Sequence, residues 1–224
     1  MRIRNISCNF ETKVVNSVKF LKYPVKTPCW ARWLWPASSW RIQTTQPELY
    51  LTFDDGPNPE FTPWVLDQLK QAHAKATFFC IGKNIERYPE LLLKIIEDGH
   101  SVGNHTWNHV HAFNVSTGQY LKEVENTDRL LNSRLFRPPY GKLTPRLYRT
   151  LRKTHRLVMW DVLSGDFDLS VSGEACAQRV IKHAGPGSIV VFHDNAKAWP
   201  RLQVALPQVI HYFQKKGFRF LSLK

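Results

Sequence analysis

From Glu48 to the C-terminus, β-rich and helix-patterned segments alternate about every 25–30 residues. That rhythm narrows the fold most, because strand–helix repetition is the signature of β/α units around a parallel sheet. Residues 49–53 read as a first strand, closed by the turn Asp54-Asp55-Gly56-Pro57. A helix with Pro63 near its start and Val65, Leu66 and Leu69 as apolar positions follows. Residues 76–81 predict the next strand. Residues 89–98 predict a helix with Leu92, Leu93, Ile95 and Ile96 inward and Gly99 as its stop. A short strand at 100–103 precedes a helix capped by Ser116 and running to about Asn132, with Leu121, Val124 and Leu130 inward. Further strands are expected at 135–136, 157–160, 188–192 and 218–221, and further helices from Thr144-Pro145, over 173–183 and over 202–216. About seven strands result. Their ends carry the polar residues Asp54-Asp55, Asn104-His105, Arg137, Asp161 and His193-Asp194, and in parallel α/β folds the C-terminal strand ends are where sites assemble.

Composition supports one folded body. The 224 residues are 43% hydrophobic and 22% charged, which excludes wholesale disorder and a polytopic membrane protein. No run approaches the roughly 18 apolar residues of a spanning helix. Thirty-one Lys and Arg against 18 Asp and Glu give a net charge of +13, which invites anionic partners. The basic residues are dispersed and no nucleic-acid fold signature appears, so nucleic acid is not expected as the partner. Cys8, Cys29, Cys80 and Cys176 form no C-x-x-C pair and no zinc-ribbon spacing, and a reducing compartment is favoured.

Residues 1–47 form a basic, Trp-rich N-terminal segment ahead of a domain over 48–224. Residues 1–48 hold eight Lys and Arg against two acids, six of the thirteen net charges. Met1-Arg2-Ile3-Arg4 resembles a signal-peptide n-region, but Lys13, Lys19, Lys22 and Lys26 interrupt every apolar stretch that follows. A cytoplasmic or membrane-associated location is therefore expected over secretion. Trp30, Trp33, Trp35 and Trp40 have two readings: a strap packed on the domain, or a peripheral membrane contact through residues 30–40.

His105-Thr106-Trp107-Asn108-His109 sets two imidazoles four residues apart, able on a helical turn to hold one cation. Alone the spacing is weak, and His111 is a competitor placed at the rim. Adjacent carboxylates before Gly-Pro are often only a turn. At a strand end, though, one can bind a metal while its neighbour takes a proton from water. Arg137 in its Pro-rich frame is either a surface turn or a permanently charged fork that keeps a buried carboxylate ionised and oriented. His193 is either a core histidine or an acid or base.

Taken in order, these segments resemble the polysaccharide deacetylase family, the NodB-homology domain or carbohydrate esterase family 4. Thr52-Phe53-Asp54-Asp55-Gly56-Pro57, His105–His109 and Arg137-Pro138-Pro139-Tyr140 match its first three motifs. Trp160-Asp161 through Asp166-Phe167 matches the fourth, with Phe167 where the family usually has Trp. Val191-Phe192-His193 matches the fifth, with Val for Leu. The resemblance covers roughly residues 48–224. It implies a distorted, incomplete (β/α) barrel and a divalent metal on Asp55, His105 and His109, zinc by ligand type, with cobalt or nickel as substitutes. It implies Asp54 as general base oriented by Arg137, the Tyr140 backbone N–H at the oxyanion, and His193 as general acid partnered by Asp166. Pro139, Tyr140, Phe167 and Val191 would contact substrate.

The expected activity is removal of N-acetyl groups from amino sugars of a glycan by a monomer. The rivals are an O-acetyl esterase on the same scaffold and a glycan-binding protein that has lost turnover.

Overall fold

The computed structural model describes residues 23–224; the signal-like start, its lysines through Lys22, and Cys8 lie outside the described residues. The chain forms α1 (Cys29–Leu34), β1 (Glu48–Asp54), α2 (Thr62–Gln71), β2 (Ala76–Cys80), α3 (Gly82–Arg87), α4 (Pro89–Glu97) and β3 (Ser101–Asn104). It continues through α5 (Thr117–Asp128), β4 (Leu135–Phe136), α6 (Pro145–Leu151), β5 (Arg156–Leu157) and β6 (Val162–Leu163). It closes with α7 (Gly173–His183), β7 (Ile189–His193), α8 (Trp199–Lys215) and β8 (Arg219–Phe220).

All strand pairs are parallel. Seven strands follow the path β5-β4-β3-β2-β1-β7-β6, and β8 pairs with the start of β1. The expected incomplete (β/α) barrel is the architecture observed. β1, β2 and β7 are almost wholly buried, as their near-continuous apolar sequences require of parallel strands covered on both faces. Phe53 stacks between Phe78 and Phe192 on the neighbouring strands.

β5 and β6 are two short strands of one run that bends at Asp161 between them. Residues 156–157 pair with β4, and residues 162–163 pair with β7. The 157–160 strand expectation therefore found the middle of this run and missed its switch of partner. The N-terminal segment pairs with the backbone groups left free on both sides. Ser39 donates to Leu157 O at 2.7 Å and accepts from Met159 N at 2.8 Å. Thr27 donates to Asp161 O at 2.9 Å, and Val25 accepts from Leu163 N at 2.8 Å. Covering exposed strand edges in this way removes a template for pairing with other chains.

Helix signals behave as their chemistry dictates. Ser116 and Gln119 form a reciprocal capping box for α5, and Thr144 and Ser172 cap α6 and α7. α7 and α8 approach so closely at Gly173 that a Cβ there would strike Val204. Three expectations fail. α5 ends at Asp128 rather than near Asn132, leaving Leu130 exposed. α8 starts at Trp199, three residues before the expected Leu202. α4 buries Leu91, Leu92 and Ile95, whereas Leu93 and Ile96 face solvent. Five apolar residues within six positions exceed one helical stripe, and only the 91/92/95 stripe meets the core.

Candidate active site

Strand register builds the site. Asp54 at the end of β1 is the register partner of His193 at the end of β7, and Asn104 at the end of β3 pairs with Phe136, just before Arg137. Beyond these ends lies a cavity of about 710 Å³ lined by Asp54, Asp55, His105, His109, Tyr140, Phe167, Val191 and His193 among others.

Asp55 leaves β1 with φ 80°. Its Oδ1 lies 3.2 Å from His109 Nε2 and 3.6 Å from His105 Nε2, and is buried without a hydrogen-bond partner among the described residues. The two histidines do not sit on a helical turn, contrary to the spacing argument. Left-handed φ values at Thr106 (64°) and His109 (55°) bend the loop instead and bring the ring centroids to 5.0 Å. Asn104 secures that bend. Its Oδ1 accepts from Thr106 N at 2.7 Å, and its amide donates to Val124 O and Asp128 Oδ1. His105 Nδ1 lies 2.7 Å from Arg137 O, which makes Nδ1 the protonated nitrogen and leaves the Nε2 lone pair aimed at Asp55. Burial first, and the His109 charge after it, lower His105 to about 4, so its ring is neutral near pH 7.

Among the described residues, four of the five non-glycine residues with left-handed φ, Asp55, Thr106, His109 and Tyr140, lie at this site, and the fifth is His73. Such conformations cost about 1–3 kcal/mol each and persist where surrounding contacts hold them. Asp55, His105 and His109 place three ligand atoms within 4.8 Å of one another, the one such cluster among the described residues. An orphaned carboxylate oxygen within 3.6 Å of two imidazole Nε2 atoms is the donor set of a tetrahedral metal site with an open position.

Arg137 is fully buried. It donates to Asp54 Oδ1 and Thr52 Oγ1, each at 2.7 Å, and to the Val158 and Met159 carbonyls, with its guanidinium 4.2 Å from the Phe79 ring centroid. Asp54 Oδ2 has no partner among the described residues. On the other flank His193 Nδ1 lies 2.7 Å from Asp166 Oδ1, and its backbone N–H donates to Asp166 Oδ2. Burial opposes the charged imidazole, but Asp166, with help from Asp55 and Asp54, raises it to about 9. Phe167 stands edge-on to His193 at 5.4 Å. Tyr140 sits in a 3-10 turn over Pro139–Gly141 with φ 60°, its ring 4.7 Å from His109. His111 stays outside the ligand cluster, 5.2 Å from Tyr140. Pro139 is a correction: it is buried inside this turn, and Pro138 is the proline on the cavity wall.

Asn195 and Tyr23 were not foreseen, and Asp194 was marked only as a strand-end residue. Asn195 donates to Asp55 Oδ2 at 2.6 Å while its own Oδ1 accepts from Ala198 N, which fixes which way its amide points. Asp194 accepts from Thr62, and a Cβ at Gly56 would run into its carboxylate. Burial raises Asp194 to about 7, and Asp55 and Asp54 push the same way. Tyr23, from the N-terminal segment, adds a cavity wall 5.0 Å from Phe167. Its hydroxyl donates to Asp168 and accepts from Arg179. The signal for Asn195 was its place two residues past His193; nothing local marks Tyr23.

The sequence model of the family described as Polysaccharide deacetylase matches residues 41–158. The chain belongs to the polysaccharide deacetylase family. Among its relatives in this family, a peptidoglycan-N-acetylglucosamine deacetylase of Bacillus cereus is 32% identical over 192 residues, covering 83% of this chain and 90% of that one. The peptidoglycan-N-acetylmuramic acid deacetylase PdaC of Bacillus subtilis is 33% identical over 159 residues, 68% of this chain and 33% of that protein. The solved Bc1960 peptidoglycan N-acetylglucosamine deacetylase, in complex with 4-naphthalen-1-yl-N-oxidanyl-benzamide, superposes with a TM-score of 0.80 at 32% identity, over 88% of this chain and 95% of that one.

Proposed function

We propose that this polysaccharide deacetylase-family chain is a metal-dependent hydrolase that removes N-acetyl groups from amino sugars of a peptidoglycan- or chitin-type glycan. The observation that carries this reading is one cavity that gathers an unpartnered Asp54 oxygen, a three-ligand cluster and a histidine raised to about 9. The names of the relatives support an N-acetylated amino sugar as substrate. The N-hydroxybenzamide bound to the solved relative carries a metal-chelating group, which supports a metal at the cluster.

A divalent cation on Asp55, His105 and His109, zinc by ligand type, would polarise the amide carbonyl and acidify a water. Asp54 Oδ2 would accept a proton from the attacking water, while Arg137 holds Oδ1 and keeps the carboxylate aimed. The Tyr140 backbone N–H donates to the oxyanion as charge develops there. An amine leaves poorly unless protonated. His193, charged below about pH 9, supplies the proton, and Asp166 keeps its ring in place. Phe167 and Val191 give the acetyl methyl an apolar wall.

The test is acetate release from N-acetylglucosamine oligomers, peptidoglycan glycan strands and acetylated xylan, by metal-stripped and zinc-reconstituted protein. Release from the N-acetylated substrates only with metal is expected. A His105→Ala, His109→Ala variant should bind no metal. Release from xylan alone would replace the amide reading with an ester one, and no release from any substrate with any divalent metal would sink the activity.

A further inference from the structure

Helix α1 displays its apolar stripe to solvent. Trp30, Trp33 and Leu34 are 63%, 83% and 59% exposed, and their i, i+3, i+4 spacing puts them on one face. A helix kept only for packing turns such a face to the core. Here the opposite side is the anchored one. Arg32 reaches Asp161 at 2.7 Å, and just past the helix Trp35 packs on Tyr148 with ring centroids 4.6 Å apart. Ala37 N–H donates to the Tyr148 hydroxyl, and Trp40 is buried. The tryptophan cluster is thus divided: Trp35 and Trp40 fasten the segment, and Trp30 and Trp33 are held out by it.

The surroundings of this face are cationic. Exposed Lys26 donates to His183 O, next to exposed Lys182 at the end of α7. On the other side Arg152 lies 5.7 Å from the Tyr148 ring that seats Trp35. His183 is lowered by burial and further by Lys182 and Lys26, a report of the positive field there. The carboxylate that the helix touches, Asp161, is fully buried and shared by Arg32 and Arg41. No α1 residue lines the cavity of the active site.

We infer that the α1 face docks on the surface of an anionic lipid bilayer. Trp rings settle at the headgroup level, where an apolar ring and a polar edge are both satisfied. The flanking Lys and Arg meet the lipid phosphates within a Debye length. No helix among the described residues is long and apolar enough to cross a membrane, so this contact is peripheral, reversible and sensitive to salt. It leaves the cavity open to substrate.

The experiment is co-sedimentation of the full chain with phosphatidylglycerol-containing vesicles and with neutral phosphatidylcholine vesicles. The comparison is with Trp30→Ser, Trp33→Ser, a substitution of two exposed residues that should leave melting temperature and acetate release unchanged. The expected result is binding to anionic vesicles that weakens with salt and falls at least about tenfold in the variant. Failure of the full chain to bind anionic vesicles would overturn the proposal, as would equal binding by the variant. So would tryptophan-dependent self-association without vesicle binding, which would make a second copy the occupant. Tryptophan-dependent capture of a soluble anionic polysaccharide in preference to vesicles would overturn it too.

Discussion

Asp54 and Asp161 are both buried aspartates gripped by arginine, and they differ in what remains unused. Asp161 gives Oδ1 to Arg32 and Oδ2 to Arg41 and Ser188, at 2.7, 3.3 and 2.7 Å. Both oxygens are consumed in tying the N-terminal segment to the barrel. Asp54 gives only Oδ1, to Arg137, and its carboxylate stands in the cavity wall with Oδ2 uncommitted. The same charge-assisted pairing therefore makes a fastener in one place and leaves an acceptor oxygen free in the other. The count of free acceptors decides which.

The comparison is broken or sharpened first by Asp54→Asn. The amide still accepts from Arg137 but takes no proton from water near pH 7. Acetate release should fall about 10²–10⁴-fold, with metal content retained and the melting curve little changed. Asp161→Asn should do the reverse. Turnover on short oligomers at room temperature should persist, and urea unfolding should show a loss of about 1–3 kcal/mol. That is below the ~3–5 kcal/mol of a broken dry pair, because Arg32 and Arg41 keep 32% and 28% of their side-chain surface exposed and regain water. Lost turnover with intact stability in Asp161→Asn would erase the distinction.

The smallest effect concerns pH. His193 is raised to about 9 chiefly through Asp166, against burial. A raised histidine keeps its proton below that value and loses it as pH rises through it, so the activity profile should fall on the alkaline side near 9. In Asp166→Asn the charge is gone and the limb should move to lower pH. An unmoved limb, measured as kcat against pH, would detach His193 from the acid role.

Much of the barrel was legible because its strands are short, apolar and bounded by turns, and because Ser116 and Thr144 are local cap signals. α3 was not. Its N-cap is Ile81 with no side-chain cap, and Gly82 and Ile85 are its buried residues, so it carries no periodicity. The polar residues at strand ends were legible as a group, since parallel register brings such ends together. The role of Asn195 was not, because it depends on an amide orientation set by Ala198. The fastening of the N-terminal segment was hidden for a different reason: Arg32 and Asp161 are 129 positions apart. No pattern within a window links them. The same distance hid Tyr23, 145 positions from Asp168.

The run from Arg156 to Leu163 links the two flanks of the proposed site. Arg137, which steadies the proposed base, is anchored on the Val158 and Met159 carbonyls. Asp166, which steadies the proposed acid, follows three residues after the same run ends in β6. The stretch bends at Asp161, whose buried carboxylate is held by Arg32, Arg41 and Ser188. One inserted residue between Met159 and Val162 would shift β6 by one position against β7 and reverse the faces of Val162 and Leu163, drawing Asp166 away from His193 while Arg137 keeps its hold on Asp54. The proposed acid and base are thus kept in step by a length of chain that belongs to neither of them.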